Sequence, residues 1–260
     1  MKTVAVVVPL YKSKLTATEE ISLNQCFRIL SDHDIIAVKP HHLDLVNHAD
    51  FTDVISFENS FFASISGYNK LMLSSEFYGK FLNYQYILIY QPDAYVFKDE
   101  LIKWCSMGYD YIGAPWLRET PYPDLVKKIK SRIVNYIHVY RNIKQPHSSL
   151  PTDKQLENRV GNGGLSLRNT NKFYNICLTH QDEIQKYVQE IHHRFNEDVF
   201  WSLEVNRKQR RLRIPDYRKA VYFAMETQLD HAFQITKGQL PFGCHAWDRY
   251  PEYWKRFICP

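Results

Sequence analysis

None of the cysteines in this chain stands in a C-x-x-C pair. The five present, Cys26, Cys105, Cys177, Cys244 and Cys259, are odd in number and widely scattered. Neither a disulfide framework nor a zinc knuckle is indicated, and a reducing compartment is the expectation. Uncharged apolar runs are short, and none reaches the ~20 residues that span a bilayer. The N-terminal run Val4-Ala5-Val6-Val7-Val8 is too brief for a secretory leader and lacks a small-residue cleavage site before Tyr11-Lys12-Ser13-Lys14. No Lys-Ser/Thr follows the glycine-rich stretch and no G-x-G-x-x-G occurs, so neither a P-loop nor a dinucleotide fingerprint is present. Excess charge is also small. The net +5 argues against nucleic acid as a partner, while local basic patches suit phosphorylated or lipid-linked substrates. There is no internal repeat, and no linker divides the chain.

What the chain does have is an aromatic load of 18 Tyr and 15 Phe within a 45% hydrophobic composition. Over 260 residues this is enough for a layered core. Aromatic rings also stack on sugars and bases, which favours a carbohydrate or nucleotide ligand. Apolar runs at 4–8, 35–38, 54–57 and 86–90 read as strands, and helical spacing at 18–30 and from Ser66 to Leu82 lies between them. A further helix-like piece at 98–105 precedes a short strand at 109–116. This alternation predicts an α/β fold with a mostly parallel central sheet flanked by helices.

The run from Tyr86 to Phe97 carries the first candidate for chemistry. Its apolar residues read as a buried strand, and Pro92 cannot continue a central ladder. Asp93 is therefore placed at the carboxyl end of a core strand, where open α/β sheets bind ligands. A carboxylate there needs a partner such as a metal, and its oxygens suit Mg or Mn. The alternative is that Asp93 caps the helix beginning near Lys98 or simply ends the strand.

Three later motifs carry alternatives of the same kind. Val160-Gly161-Asn162-Gly163-Gly164-Leu165 lets a ligand or another backbone approach closely, or is a tight turn into an edge strand. In Asn196-Glu197-Asp198-Val199-Phe200-Trp201, Asn196 is a plausible N-cap, and the acids suit the first turn of a helix. One of those acids can equally serve as a general base. His245, in Leu240-Pro241-Phe242-Gly243-Cys244-His245, is a candidate late metal ligand. Residues 125–144 form a basic amphipathic helix, with Leu125, Ile129, Ile133, Ile137 and Tyr140 at helical spacing. It either covers the sheet with its basic face solvated, the reading the pattern favours, or lies on an anionic membrane.

Taken in order, Gln-Pro-Asp-Ala-Tyr, Gly-Tyr-Asp-Tyr-Ile-Gly-Ala-Pro-Trp, Gly-Asn-Gly-Gly, Asn-Glu-Asp-Val-Phe-Trp and Pro-Phe-Gly-Cys-His-Ala-Trp resemble a bacterial family of GT-A-fold glycosyltransferases. More distantly they are similar to β-1,3-galactosyltransferase and Fringe-type enzymes. The resemblance implies one GT-A domain over 1–260, with a nucleotide-sugar-binding half at 1–115, a basic helix and loop at 116–155, and an acceptor-binding and catalytic half at 156–260. It places Asp93 and His245 as ligands of Mn2+ or Mg2+, and Asp198 as the base with Glu197 as the runner-up. Pro9, Leu10, Tyr11, Lys70, Gln91, Asp93 and Tyr95 would bind the donor, and Trp116, Gly163 and Gly164 the acceptor. The implied reaction is inverting transfer from a uridine diphosphate sugar to a glycan or glycolipid, in surface polysaccharide or lipopolysaccharide synthesis. The enzyme would be cytoplasmic, peripheral on the inner membrane.

The chain departs from the resemblance at one place. The usual Asp-x-Asp is here Gln91-Pro92-Asp93-Ala94-Tyr95, so either Tyr95 or Gln91 stands where a second acid is expected. Metal dependence is left open by this. A retaining transferase, a glycoside hydrolase using Asp93 and Asp198, and a non-catalytic nucleotide-sugar-binding protein are the alternatives.

Overall fold

The computed structural model describes residues 1–45 and 50–258; Cys259 lies outside them. The chain opens with strand β1 (Lys2–Pro9), helix α1 (Ala17–Ile29), strands β2 (Asp34–Pro40) and β3 (Asp53–Phe57), helices α2 (Ile65–Met72) and α3 (Ser75–Gly79), and strand β4 (Tyr84–Tyr90). Strand β5 (Tyr95–Val96), helix α4 (Leu101–Ser106), strands β6 (Tyr111–Ile112) and β7 (Pro115–Trp116) and the long helix α5 (Leu125–Tyr140) follow. Next come β8 (Arg159–Val160), β9 (Leu165–Asn169), α6 (Thr170–Thr179), α7 (Gln181–Val188), α8 (Glu197–Ser202) and α9 (Tyr217–Ala220). The chain closes with β10 (Ala224–Met225), α10 (Leu229–Thr236), β11 (Gly243–Cys244) and α11 (Pro251–Trp254).

Six strands form the central sheet in the order β3-β2-β1-β4-β9-β6. The first four run parallel, while β9 is antiparallel to both β4 and β6. The continuous apolar run of β1 follows from burial on both faces. Val4, Val6 and Val8 join one core cluster with Leu23 and Cys26 of α1 and Trp104 of α4. Ala5 and Val7 join the other, with Leu71, Phe77, Phe173 and Trp201. A third cluster gathers Tyr95, Met225, Cys244, Trp247 and Trp254 around a small sheet of β10, β11 and β5.

Three sequence expectations change here. The helical stretch from Ser66 to Leu82 is two helices, because Ser74 turns out of the first and its hydroxyl accepts the Phe77 N–H to start the second. The strand after the glycines is not at an edge, since β9 pairs on both sides. The helix after β5 starts at Leu101, where Asp99 accepts the Leu101 N–H, so Asp93 does not cap it. Among the described residues no helix is long and apolar enough to cross a membrane.

Candidate active site

A cleft of about 840 Å3 opens at the carboxyl ends of β1 and β4. Its walls come from segments far apart in sequence: Pro9 and Tyr11, the start of α1, residues 62–69, Gln91 to Asp93, Asn162 to Gly164, Asn196 to Asp198, and His245 with Asp248 and Arg249. Sheet order explains the convergence, because β1, β4 and β9 are neighbours. The Gln91 N–H also donates to the Gly164 carbonyl at 2.8 Å, tying the chain after β4 to the glycine segment.

His245 is the centre of one side. Its Nε2 faces Asp93 Oδ1 at 3.1 Å and Gln91 Oε1 at 3.2 Å, and its Nδ1 faces Glu226 Oε1 at 3.2 Å. Burial alone would lower this imidazole, but the hydrogen bonds to Asp93 and Glu226 outweigh it and push it up to about 10. Burial raises the Asp93 carboxyl, but His245, a backbone hydrogen bond and the charge of Arg249 together leave it below the usual carboxylate range. Ala246, next in the chain, has a left-handed backbone with φ of 49°. That conformation is disfavoured for a residue with a β-carbon, and here it accompanies the turn that presents the imidazole.

The glycines are required by close approach. A β-carbon at residue 164 would lie 1.9 Å from His245 Nε2, and one at residue 163 would lie 2.1 Å from Glu197 Oε1. Asn162 holds the turn, its Oδ1 accepting the Gly164 N–H at 3.0 Å.

Glu197 and Asp198, adjacent in sequence, have different surroundings. Arg168 Nη1 and Nη2 donate to the two Glu197 oxygens at 3.0 and 2.9 Å, and both side chains are buried. Arg168 also donates to Ser166 and Tyr78, so this ion pair is fully embedded. Such a bidentate pair neutralises the carboxylate. Among the described residues no cation pairs with Asp198 in this way, and its Oδ1 accepts the Val199 N–H at 2.8 Å. Desolvation, then the charges of Glu197 and Glu226, push its carboxyl up to about 7. A carboxyl near neutrality facing a cleft is suited to accept a proton. Asn196 occupies the N-cap position of α8, yet the Glu197 N–H is accepted by Asn69 of α2 at 3.1 Å, and Asn69 Nδ2 donates to Asn196.

Of the residues singled out from sequence, Pro9, Tyr11, Gln91, Asp93, Gly163, Gly164, Glu197, Asp198 and His245 line this cleft. Leu10 is buried in the core, and Lys70 is exposed on α2 outside the lining. Tyr95 is buried against Phe97 and Trp247, with β5 paired to β11. Gln91, not Tyr95, therefore accompanies Asp93 in the cleft. Trp116 packs under Gly161, where a β-carbon would lie 2.1 Å from the indole. Sequence reasoning missed Glu226 and Arg249. Glu226 follows β10, a two-residue strand with no periodicity to flag it, although Phe223-Ala224-Met225-Glu226 repeats the apolar-run-then-acid pattern of β4.

Among the described residues no three His, Cys, Asp or Glu side chains gather to hold a metal. The donor set present is one carboxylate, one imidazole and one amide oxygen. Glu226 on Nδ1 is the arrangement that orients a histidine whose Nε2 faces a cation. Asp93 and Gln91 supply oxygens that suit a hard divalent ion completed by phosphate and water. Such an ion would take the place of the proton that His245 Nε2 carries toward Asp93 and Gln91, and with that exchange the residues fit it.

Residues 51–245 match the model of the family described as "Protein of unknown function (DUF5672)". The chain belongs to that family. No curated protein matches it in sequence. Among solved structures it is similar to the galactosyltransferase LgtC in complex with donor and acceptor sugar analogues, with a TM-score of 0.55, 13% identity, and coverage of 93% of this chain and 86% of that one. It is similar also to mouse xyloside xylosyltransferase 1 in its apo form, with a TM-score of 0.52, 12% identity, and coverage of 94% and 97%. The active-site mutant Q189E of LgtC gives a TM-score of 0.54 at 14% identity, over 93% and 86%. This protein of the DUF5672 family thus has the GT-A fold of known glycosyltransferases.

Proposed function

We propose that the chain is a glycosyltransferase moving a sugar from a nucleotide diphosphate donor, a uridine diphosphate sugar, to a hydroxyl of a glycan or glycolipid. The observation that carries this reading is the meeting of Asp93, His245, the Gly163-Gly164 segment and Asp198 in one cleft of a GT-A fold. Pro9 and Tyr11, which line the cleft, would contact the base of the donor. Asp93 and His245 would hold a divalent cation, Mn2+ or Mg2+, which when bound offsets charge on the leaving diphosphate. Asp198 takes the proton of the acceptor hydroxyl as its oxygen bonds to the anomeric carbon. The bond from that carbon to the diphosphate oxygen breaks, and the configuration inverts. Glu197, locked by Arg168, fixes the wall beside the reacting groups.

The resemblance of the motifs to bacterial glycosyltransferases, together with the basic helix α5, extends the proposal to a place in surface polysaccharide assembly, where glycan hydroxyls are the acceptors. A thermal-shift screen of nucleotide sugars, with and without manganese, tests it. Uridine diphosphate sugars should raise the melting temperature, more so with manganese. Stabilisation by glycans alone, with no response to any nucleotide, would contradict it.

A further inference from the structure

Helix α5 turns its apolar stripe away from the protein. Val126, Ile129, Ile133, Ile137 and Tyr140 follow one another at i, i+3, i+7, i+11 and i+14. They are 75%, 51%, 56%, 42% and 45% exposed, and Leu125 and Tyr136 beside them are exposed too. The opposite face carries the buried Asn135 and Val139. It is tied down by polar contacts. Arg207 and Lys208 donate to the Val139 and Tyr140 carbonyls, and His138 Nδ1 pairs with Thr152 at 2.7 Å. The pattern that from sequence favours a helix packed on the sheet thus belongs to a helix packed the other way round. Periodicity reveals a stripe but not which way it faces.

A contiguous exposed apolar surface of this kind marks an interaction site. Its chemistry identifies the occupant. The exposed Lys127, Lys130, Arg132 and Arg141 border the stripe, and no Asp or Glu occurs from Leu125 to Thr152. We propose that α5 lies flat on an anionic membrane surface, with its aliphatic and tyrosine side chains at the headgroup–acyl boundary and its cations on lipid phosphates. A second copy of the chain fits less well, because face-to-face pairing would oppose like charges with no acid in the segment to pair them. The segment that leaves α5 returns through β8, paired with β7, directly into Gly161 and the glycine wall of the cleft. Membrane docking here is independent of the transferase reading and is measured without any sugar.

The test is sedimentation of the whole chain with vesicles of phosphatidylcholine alone and of three parts phosphatidylcholine to one part phosphatidylglycerol. Binding should be at least roughly tenfold tighter to the anionic vesicles and should weaken with salt. Ile129→Asp with Ile133→Asp, and separately Lys127→Glu with Lys130→Glu, should each reduce it by roughly tenfold or more while the melting temperature stays unchanged. These side chains are already in solvent, so the fold does not depend on them. Failure to bind, equal binding to both vesicles, or variants that bind like the parent would each overturn the proposal. So would a solution dimer that the same substitutions dissolve, which would give the face to a second copy.

Discussion

The imidazole of His245 occupies the space in which a β-carbon of residue 164 would stand, 1.9 Å from Nε2. The glycine is there so that His245 can reach Asp93 and Gln91 at the end of β4 while Glu226 holds its other nitrogen. Three sequence segments thereby depend on one missing side chain.

Gly164→Ala should therefore displace the imidazole. Overpacking of this kind costs about 1–3 kcal/mol. The larger effect should fall on donor affinity, read by calorimetric titration with a nucleotide sugar. Unchanged affinity would mean that His245 does not take part in binding.

Breaking the Arg168–Glu197 pair should act on stability. Removing one partner of a buried pair leaves an uncompensated charge and costs about 3–5 kcal/mol. Arg168→Met should lower the midpoint of urea unfolding accordingly, and Arg168→Met with Glu197→Met should recover part of the loss. A double variant no better than the single would contradict this account of the pair.

Glu226→Gln tests a residue that acts through another. It should weaken manganese binding by about 10–100-fold, the usual effect of losing a histidine's outer carboxylate. It should also lower the melting temperature, because the buried His245 imidazolium loses one of its two anionic partners. Manganese titration followed by calorimetry provides the readout, and an unaltered affinity would remove Glu226 from the site.

The raised Asp198 carboxyl gives a pH dependence with a definite sign. Its folded value of about 7 lies above the ordinary 3.8, so the native state holds a proton that the unfolded chain has released between those values. Stability from this group falls as pH rises through that window. Transfer, which needs the carboxylate, should rise with pH and level off above about 7. A rate that is flat from pH 5 to 8 would show that no such base operates.

How much of this was legible in the sequence depended on length and direction. The runs of β1, β2 and β4 announced themselves because both faces of the sheet are buried and every residue can be apolar. Strands of two residues, such as β5, β10 and β11, carry no period, and they are the ones that place Tyr95, Glu226 and His245. The motif order brought Asp93, Gly163-Gly164, Asp198 and His245 forward together. It ranked Asp198 ahead of Glu197 by resemblance alone, because the physical difference between them is the guanidinium of Arg168, 29 residues from Glu197 in sequence. The break between α2 and α3 rests on the single serine at 74, and the outward face of α5 on contacts that no spacing encodes.

The most direct test of the central claim is a paired measurement on Asp198→Asn, namely affinity for a uridine diphosphate sugar and turnover with an acceptor glycan. Donor affinity should equal that of the parent and turnover should fall by at least roughly a hundredfold, as expected when a positioned base is lost. Turnover retained at the parent level, with the donor still bound, would contradict it.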